Sequence, residues 1–184
     1  MNTMNHQLII FEGPDGSGKT TAVNEIASIL DAYVFHHGPY PSEDIITHHY
    51  IDSMIPILSN TGNVILDRSW YSEIIYGTVF RDGMNRINAE HFDLLKRCAK
   101  LCNPVIVVCM PPMNVCVENY QKRKKLEYLD NEEQLKKVWF MYNQIRSSDI
   151  PVIKYDYTTQ LFDDLINKIS TIFNHQTKDT QHGN

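Results

Sequence analysis

Five short apolar runs punctuate the chain, and between them apolar residues return every three or four positions. Leu8 to Glu12, Ala32 to Phe35, Asn63 to Leu66, Pro104 to Met110 and Val152 to Tyr155 read as strands, the fourth stopped by Pro111 and Pro112. Thr20 to Leu30, Tyr71 to Phe80, Asn88 to Leu101, Val115 to Lys125, Glu132 to Arg146 and Leu161 to Phe173 read as helices. In the first of these Val23, Ile26, Ala27 and Leu30 share one face. Ser42 followed by Glu43 and Asp44 marks a further helix start. Runs with so little polar alternation are buried on both sides. The pattern therefore predicts an α/β fold in three layers, a five-stranded parallel sheet flanked by helices. One domain is expected over residues 1–173, and the polar stretch 174–184, which has no periodicity, is expected to be disordered.

Composition narrows the class without changing that picture. At 184 residues the chain is long enough to bury a core without staples, and its 42% hydrophobic and 21% charged content is that of a globular protein. No apolar run approaches the roughly 20 residues of a membrane span. Met1 to Gln7 lacks the charged and apolar regions of a signal peptide, so a cytoplasmic location without membrane contact is expected. A net charge of −5 argues against stable nucleic-acid binding, the run Lys122 to Lys125 being a local exception. Cys98, Cys102, Cys109 and Cys116 lack the paired spacing of a zinc site and read as reduced packing residues. His48 and His49 are adjacent, so on a helix they diverge rather than face one metal.

The chemistry is concentrated where strands end. Gly13 to Thr20, "GPDGSGKT", fits the phosphate-binding pattern of glycine, four residues, then Gly-Lys-Thr, and it lies between a strand and a helix. Its glycines let successive N–H groups turn toward phosphate oxygens, Lys19 brings a mobile charge, and the Thr20 hydroxyl is placed for Mg²⁺. The expected ATP-binding set is Gly13, Asp15, Gly16, Ser17, Gly18, Lys19, Thr20 and Thr21. Asp67, at the end of another strand, is the second metal-holding group, and Arg68 beside it offers a planar fork for phosphate oxygens. In a parallel sheet, ligands bind outside the carboxyl ends of the strands, where Glu12 to Thr20, His36 to Tyr40 and Asp67 to Ser72 all fall.

With these motifs together, the chain resembles the thymidylate kinase family of P-loop kinases, from about Leu8 to Phe173. The resemblance is carried by "FEGPDGSGKTT", "LDRSWYSEIIYG" and "NPVIVVCMPPMNVCVENYQKRKK". It implies ATP and Mg²⁺ as cofactors, a small-molecule acceptor, a possible homodimer and transfer of phosphate from ATP to dTMP. Residue by residue, it implies that Asp15 contacts the acceptor's 3′-hydroxyl and that Arg68 contacts the acceptor phosphate and the transferred group. Tyr76 would pack beside the sugar, its bulk disfavouring a 2′-hydroxyl. Arg123 would come from a lid near 120–130; the phosphate loop has no arginine of its own, so a lid must bring that charge.

The chain departs from this family in two places. No arginine lies between His36 and Pro41, so an acceptor phosphate would depend on Arg68, or on Arg81 and Arg86. Glu73 stands where an amide or small residue is usual. Asp67-Arg68-Ser69 with Tyr71-Ser72-Glu73 instead resembles deoxynucleoside kinases, and that resemblance implies Glu12 as the base for a 5′-hydroxyl proton. His37 is a hydrogen-bonding candidate on the ligand rim, while Tyr71 and Tyr76 read equally as core aromatics and Trp70 reads as packing. A nucleotide-sensing NTPase module is the third function that the pattern allows.

Overall fold

The computed structural model describes residues 6–38, 46–59, 61–123, 131–147 and 149–181. Strand β1, Leu8–Glu12, is buried along its whole length and lies at the centre of the sheet. It leads through the phosphate loop into helix α1, Lys19–Leu30, which reaches β2, Ala32–His36, through Asp31 in a left-handed turn (φ 47°). Helix α2, Ile46–Asp52, and the short α3, Ile55–Leu58, precede β3, Asn63–Asp67. Then come α4, Trp70–Phe80; α5, Ala89–Lys100; β4, Pro104–Cys109; and α6, Met113–Arg123. Helix α7, Glu132–Asn143, β5, Val152–Tyr155, and α8, Phe162–Gln181, complete the order.

All strand pairs are parallel and the sheet order is β2-β3-β1-β4-β5. The chain leaves β1 to one side, fills β2 and β3, then crosses to β4 on the other side. That reversal opens a crevice at the carboxyl ends of β1, β3 and β4. Alternation along each strand divides the core in two. Leu8, Ile10, Val64, Leu66, Ile106 and Val108 face Tyr50, Trp70, Leu95, Val138 and Tyr142. Ile9, Phe11, Ile65, Val105 and Val107 face Val23 and Ile26 of α1 and Leu165, Ile169 and Phe173 of α8.

The five expected strands and six expected helices are present, with ends shifted by a few residues. The helix start expected at Ser42 lies outside the described residues, as does the 124–130 part of the expected lid. Helix α8 differs more: it runs through Gln181, so the polar stretch from residue 174 is helical to that point. Once Phe162 to Phe173 is packed, each added residue gains a backbone hydrogen bond without a new nucleation cost. Gln176 also donates from its side chain to the Pro104 carbonyl. Edge strand β2 is less covered than a both-faces-buried reading implies, with Tyr33 and Val34 exposed. No helix among the described residues is long and apolar enough to cross a membrane.

Candidate functional site

The carboxyl ends of β1 and β3 bring most of the expected residues together. Register sets Asp67 level with Phe11 on one side and His36 on the other, so Glu12, Asp67 and His36 end their strands on one rim. The loop after β1 is close-packed: a side chain on Gly13 (φ 149°) would come within 2.6 Å of the Cys109 carbonyl oxygen. One on Gly18 (φ 77°) would meet the Tyr157 ring at 2.8 Å. Glycine is needed at both positions for conformation and for space. Within this loop the Ser17 hydroxyl is buried and has no hydrogen-bond partner among the described residues. An orphaned donor inside a phosphate-binding loop at a helix N-terminus fits an anionic ligand.

Lys19 is buried and pairs with Asp67, whose other oxygen lies 2.8 Å from His36 Nδ1. Burial alone would raise the Asp67 pKa, but the Lys19 charge and the hydrogen bonds from Lys19 and His36 outweigh it and hold the carboxyl below its ordinary value. Asp67 is thus ionised and Thr20, next to Lys19, is exposed at the start of α1. Asp67 and Thr20 are oxygen donors of the kind a Mg²⁺ ion takes, and in this structure both Asp67 oxygens are engaged, by Lys19 and His36.

Beside the phosphate loop lies a continuous polar network under aromatic cover. Arg68 takes a left-handed backbone (φ 72°), uncommon for a residue that carries a Cβ, and its N–H is held by the Phe11 carbonyl at 2.9 Å. Its guanidinium pairs with Asp15, lies 5.0 Å from the Tyr76 ring centroid and donates to the Tyr142 hydroxyl at 3.1 Å and the Gly13 carbonyl at 3.3 Å. The Tyr76 hydroxyl donates to the second oxygen of Asp15 at 2.7 Å. Asp15, Arg68 and Tyr76 therefore form one cluster.

Glu12 is fully buried. One oxygen accepts from the Ser69 N–H at 2.8 Å and the Ser69 hydroxyl at 2.6 Å; the other accepts from the Ser72 hydroxyl at 2.6 Å. Burial raises its pKa against those hydrogen bonds and the nearby Arg68 and Lys19 charges. Ser69 is also the N-cap of α4, accepting from the Tyr71 N–H at 3.3 Å, so one side chain both starts the helix and holds the carboxylate.

Three expected site residues lie apart from this cluster. Glu73 pairs with Arg81 and, in a two-pronged contact of 2.7 and 2.6 Å, with Arg86. The two arginines considered for an acceptor phosphate are thereby engaged within the α4–α5 corner. His37 is buried under Tyr50, with Ser53 Oγ 3.2 Å from its Nε2, because α2 packs over the end of β2. Burial pulls its pKa down to about 4. Tyr71 stacks on Trp70 and meets Phe92 edge-on. The Arg123 side chain lies outside the described residues. A cavity of about 560 Å³ opens between α2 and α5, lined among others by His48, Asn85, Arg86 and His91, and shares no residue with the phosphate loop.

The structure adds residues that the sequence patterns do not single out. His36 reaches Asp67 because the strands pair in register. Asn119 donates to the Gly16 carbonyl and to the Tyr157 hydroxyl, both at 2.9 Å, so α6 and the turn after β5 close over the outside of the loop. Tyr142, fully buried on α7, bridges Ser72 at 2.7 Å and Arg68. Its spacing from Leu135 and Val138 signals only a core position.

Known proteins share this architecture. The family model Polyphosphate kinase 2 (PPK2) matches residues 1–98. No curated protein matches the chain in sequence. Among solved structures, the YorR protein of Bacillus subtilis in complex with phosphorylated GDP is 17% identical, with a TM-score of 0.71 over 97% of this chain and 100% of that one. Deoxyadenosine kinase of M. mycoides with bound dCTP is 18% identical, with a TM-score of 0.60 over 90% of this chain and 100% of that one. At such identities the likeness is one of fold, the three-layer α/β fold of P-loop kinases.

Proposed function

The chain belongs to the polyphosphate kinase 2 (PPK2) family and is a P-loop phosphotransferase; from that premise we propose that it phosphorylates a deoxynucleoside monophosphate, dTMP first, using ATP. The observation that carries the choice of acceptor is Glu12. Both of its oxygens already accept hydrogen bonds from Ser69 and Ser72, and none of it meets solvent. Three of the roughly four lone-pair positions of the carboxylate are thereby taken, and the fourth, on Oε2, is sealed from solvent, so an incoming hydroxyl proton has no open approach to it. Glu12 orders the site, and an acceptor that already carries a phosphate needs no such base.

On this reading the donor phosphates lie along the loop from Gly13 to Thr21. Lys19 exchanges Asp67 for the β and γ phosphates, which releases Asp67 to act with Thr20. A Mg²⁺ ion held by Thr20 and Asp67 would neutralise charge on the transferring group. Arg68 spans acceptor phosphate and transferred phosphoryl, and Asp15 and Tyr76 take the sugar, with the Tyr76 ring set against a 2′-hydroxyl. Little covalent work falls to the protein, so positioned charge carries most of the rate.

A deoxynucleoside kinase is the second reading, favoured by the burial that raises the Glu12 pKa and so makes it a better base once Ser72 turns away. An acceptor panel separates the two. Purified protein is offered nucleosides and monophosphates of each base, with ATP or polyphosphate as donor, since the family's name brings polyphosphate into question. We expect dTDP from dTMP and no product from thymidine; turnover of nucleosides alone would overturn the monophosphate assignment. Arg68→Ala is expected to lower kcat by about 100-fold, the scale of losing one donor aimed at developing charge. Nucleotide binding without transfer to any acceptor would instead support a sensing module.

A further inference from the structure

We propose that the Tyr142 hydroxyl is the joint that fixes Arg68 relative to Glu12, making Tyr142 a positioning residue for phosphoryl transfer; this rests on the reading of Arg68 given above. The hydrogen bonds run in one direction. Glu12 Oε2 accepts the Ser72 hydroxyl proton at 2.6 Å. Ser72 must then accept across its 2.7 Å contact with Tyr142, so the phenol proton points to Ser72. The phenol oxygen is left to accept from Arg68 Nη1 at 3.1 Å. Each hydroxyl spends its single proton once, and the chain joins a buried carboxyl to a buried guanidinium through two neutral groups.

Tyr142 enters from α7, whereas Glu12, Arg68 and Ser72 belong to β1, the end of β3 and α4. It is therefore the one member of this chain contributed by a separate helix. Burial pushes its pKa well up, so the phenol keeps the proton the chain requires. Arg68 retains Asp15 and the Gly13 carbonyl when the phenol is removed, so its charge stays in place while its orientation loosens. Loosened orientation acts on the transition state more than on substrate binding.

Tyr142→Phe, Ser72→Ala and the double variant test this. We expect kcat about tenfold lower in Tyr142→Phe, with acceptor KM changed by less than about twofold, the pattern of an interaction realised mainly in the transition state. If the hydroxyls act as one chain, the double variant loses little beyond the more damaging single one. Unchanged kcat in Tyr142→Phe, or kinetic losses that multiply independently, overturns the joint. The same three variants are unfolded in denaturant, where the chain predicts a non-zero coupling between positions 72 and 142. A wild-type protein that transfers phosphate to no acceptor overturns the reading of function, and zero coupling in unfolding overturns the joint separately.

Discussion

Single residues in this protein are decided by what faces them across strands. His37 and His36 are neighbours in sequence with opposite fates: His37 is sealed under Tyr50, and His36 holds Asp67 at the rim. Because the folded pKa of His37 is about 4 against an ordinary 6.5, the unfolded chain binds the extra proton between those values. Its contribution to stability is whole above pH 6.5 and is lost as pH falls toward 4. Between pH 7 and pH 5 it should account for about 2 kcal/mol of stability. Denaturant titrations at both pH values check this: His37→Asn should flatten the slope, and an unchanged slope would remove His37 as its source. The phosphate loop was legible in the sequence because its eight residues are contiguous and each has a local job. His36 and Tyr142 were not, since their partners are set by strand register and helix packing.

At the scale of elements, α4 gathers most of the polar network beside the phosphate loop. Its first turn carries Ser69 at the cap, Ser72 on Glu12 and Glu73 on two arginines. The partners of Glu73 stand eight and thirteen residues on, past any helical spacing, so no periodicity could reveal them. Removing that carboxylate takes the contacts of 2.7 and 2.6 Å from the largely buried Arg86, while the more exposed Arg81 can turn to water. Glu73→Ala is expected to destabilise the fold by about 2 kcal/mol, below the range for a wholly buried pair. Equilibrium unfolding measures it; a raised acceptor KM at unchanged stability would instead place Glu73 on the acceptor. Strands β1, β3 and β4 were readable because burial on both faces leaves continuous apolar runs. The exposure of Tyr33 and Val34 was not, because an edge strand can have the same composition as a central one.

Across the whole molecule, the sheet order determines where binding energy enters. Phosphates bound at the crevice would touch loops from both sides of β1 and so tie the two halves of the core together. If nucleotide binds only the folded chain, about 100 Kd of ligand adds about 2.7 kcal/mol of stability. Thermal unfolding with and without ATP and Mg²⁺ should show a higher midpoint for the wild type and a much smaller rise for Lys19→Ala. A midpoint indifferent to nucleotide would argue against the donor site. Three-layer architecture followed from alternating strand and helix patterns alone, whereas the extent of α8 depended on propagation from a packed segment, which the composition of residues 174–181 does not reveal.

Trp70 sits two residues beyond Arg68, fully buried and flanked by Tyr50 at 5.9 Å and Tyr71 at 5.8 Å between ring centroids. The other indole, Trp139, is half-buried, donating to the Pro111 carbonyl at 3.0 Å. The protein therefore carries its own optical probe. Emission from Trp70 belongs to a dry aromatic setting at the first residue of α4, two positions after Arg68, so any rearrangement of that first turn is written into the protein's native fluorescence, with no label attached.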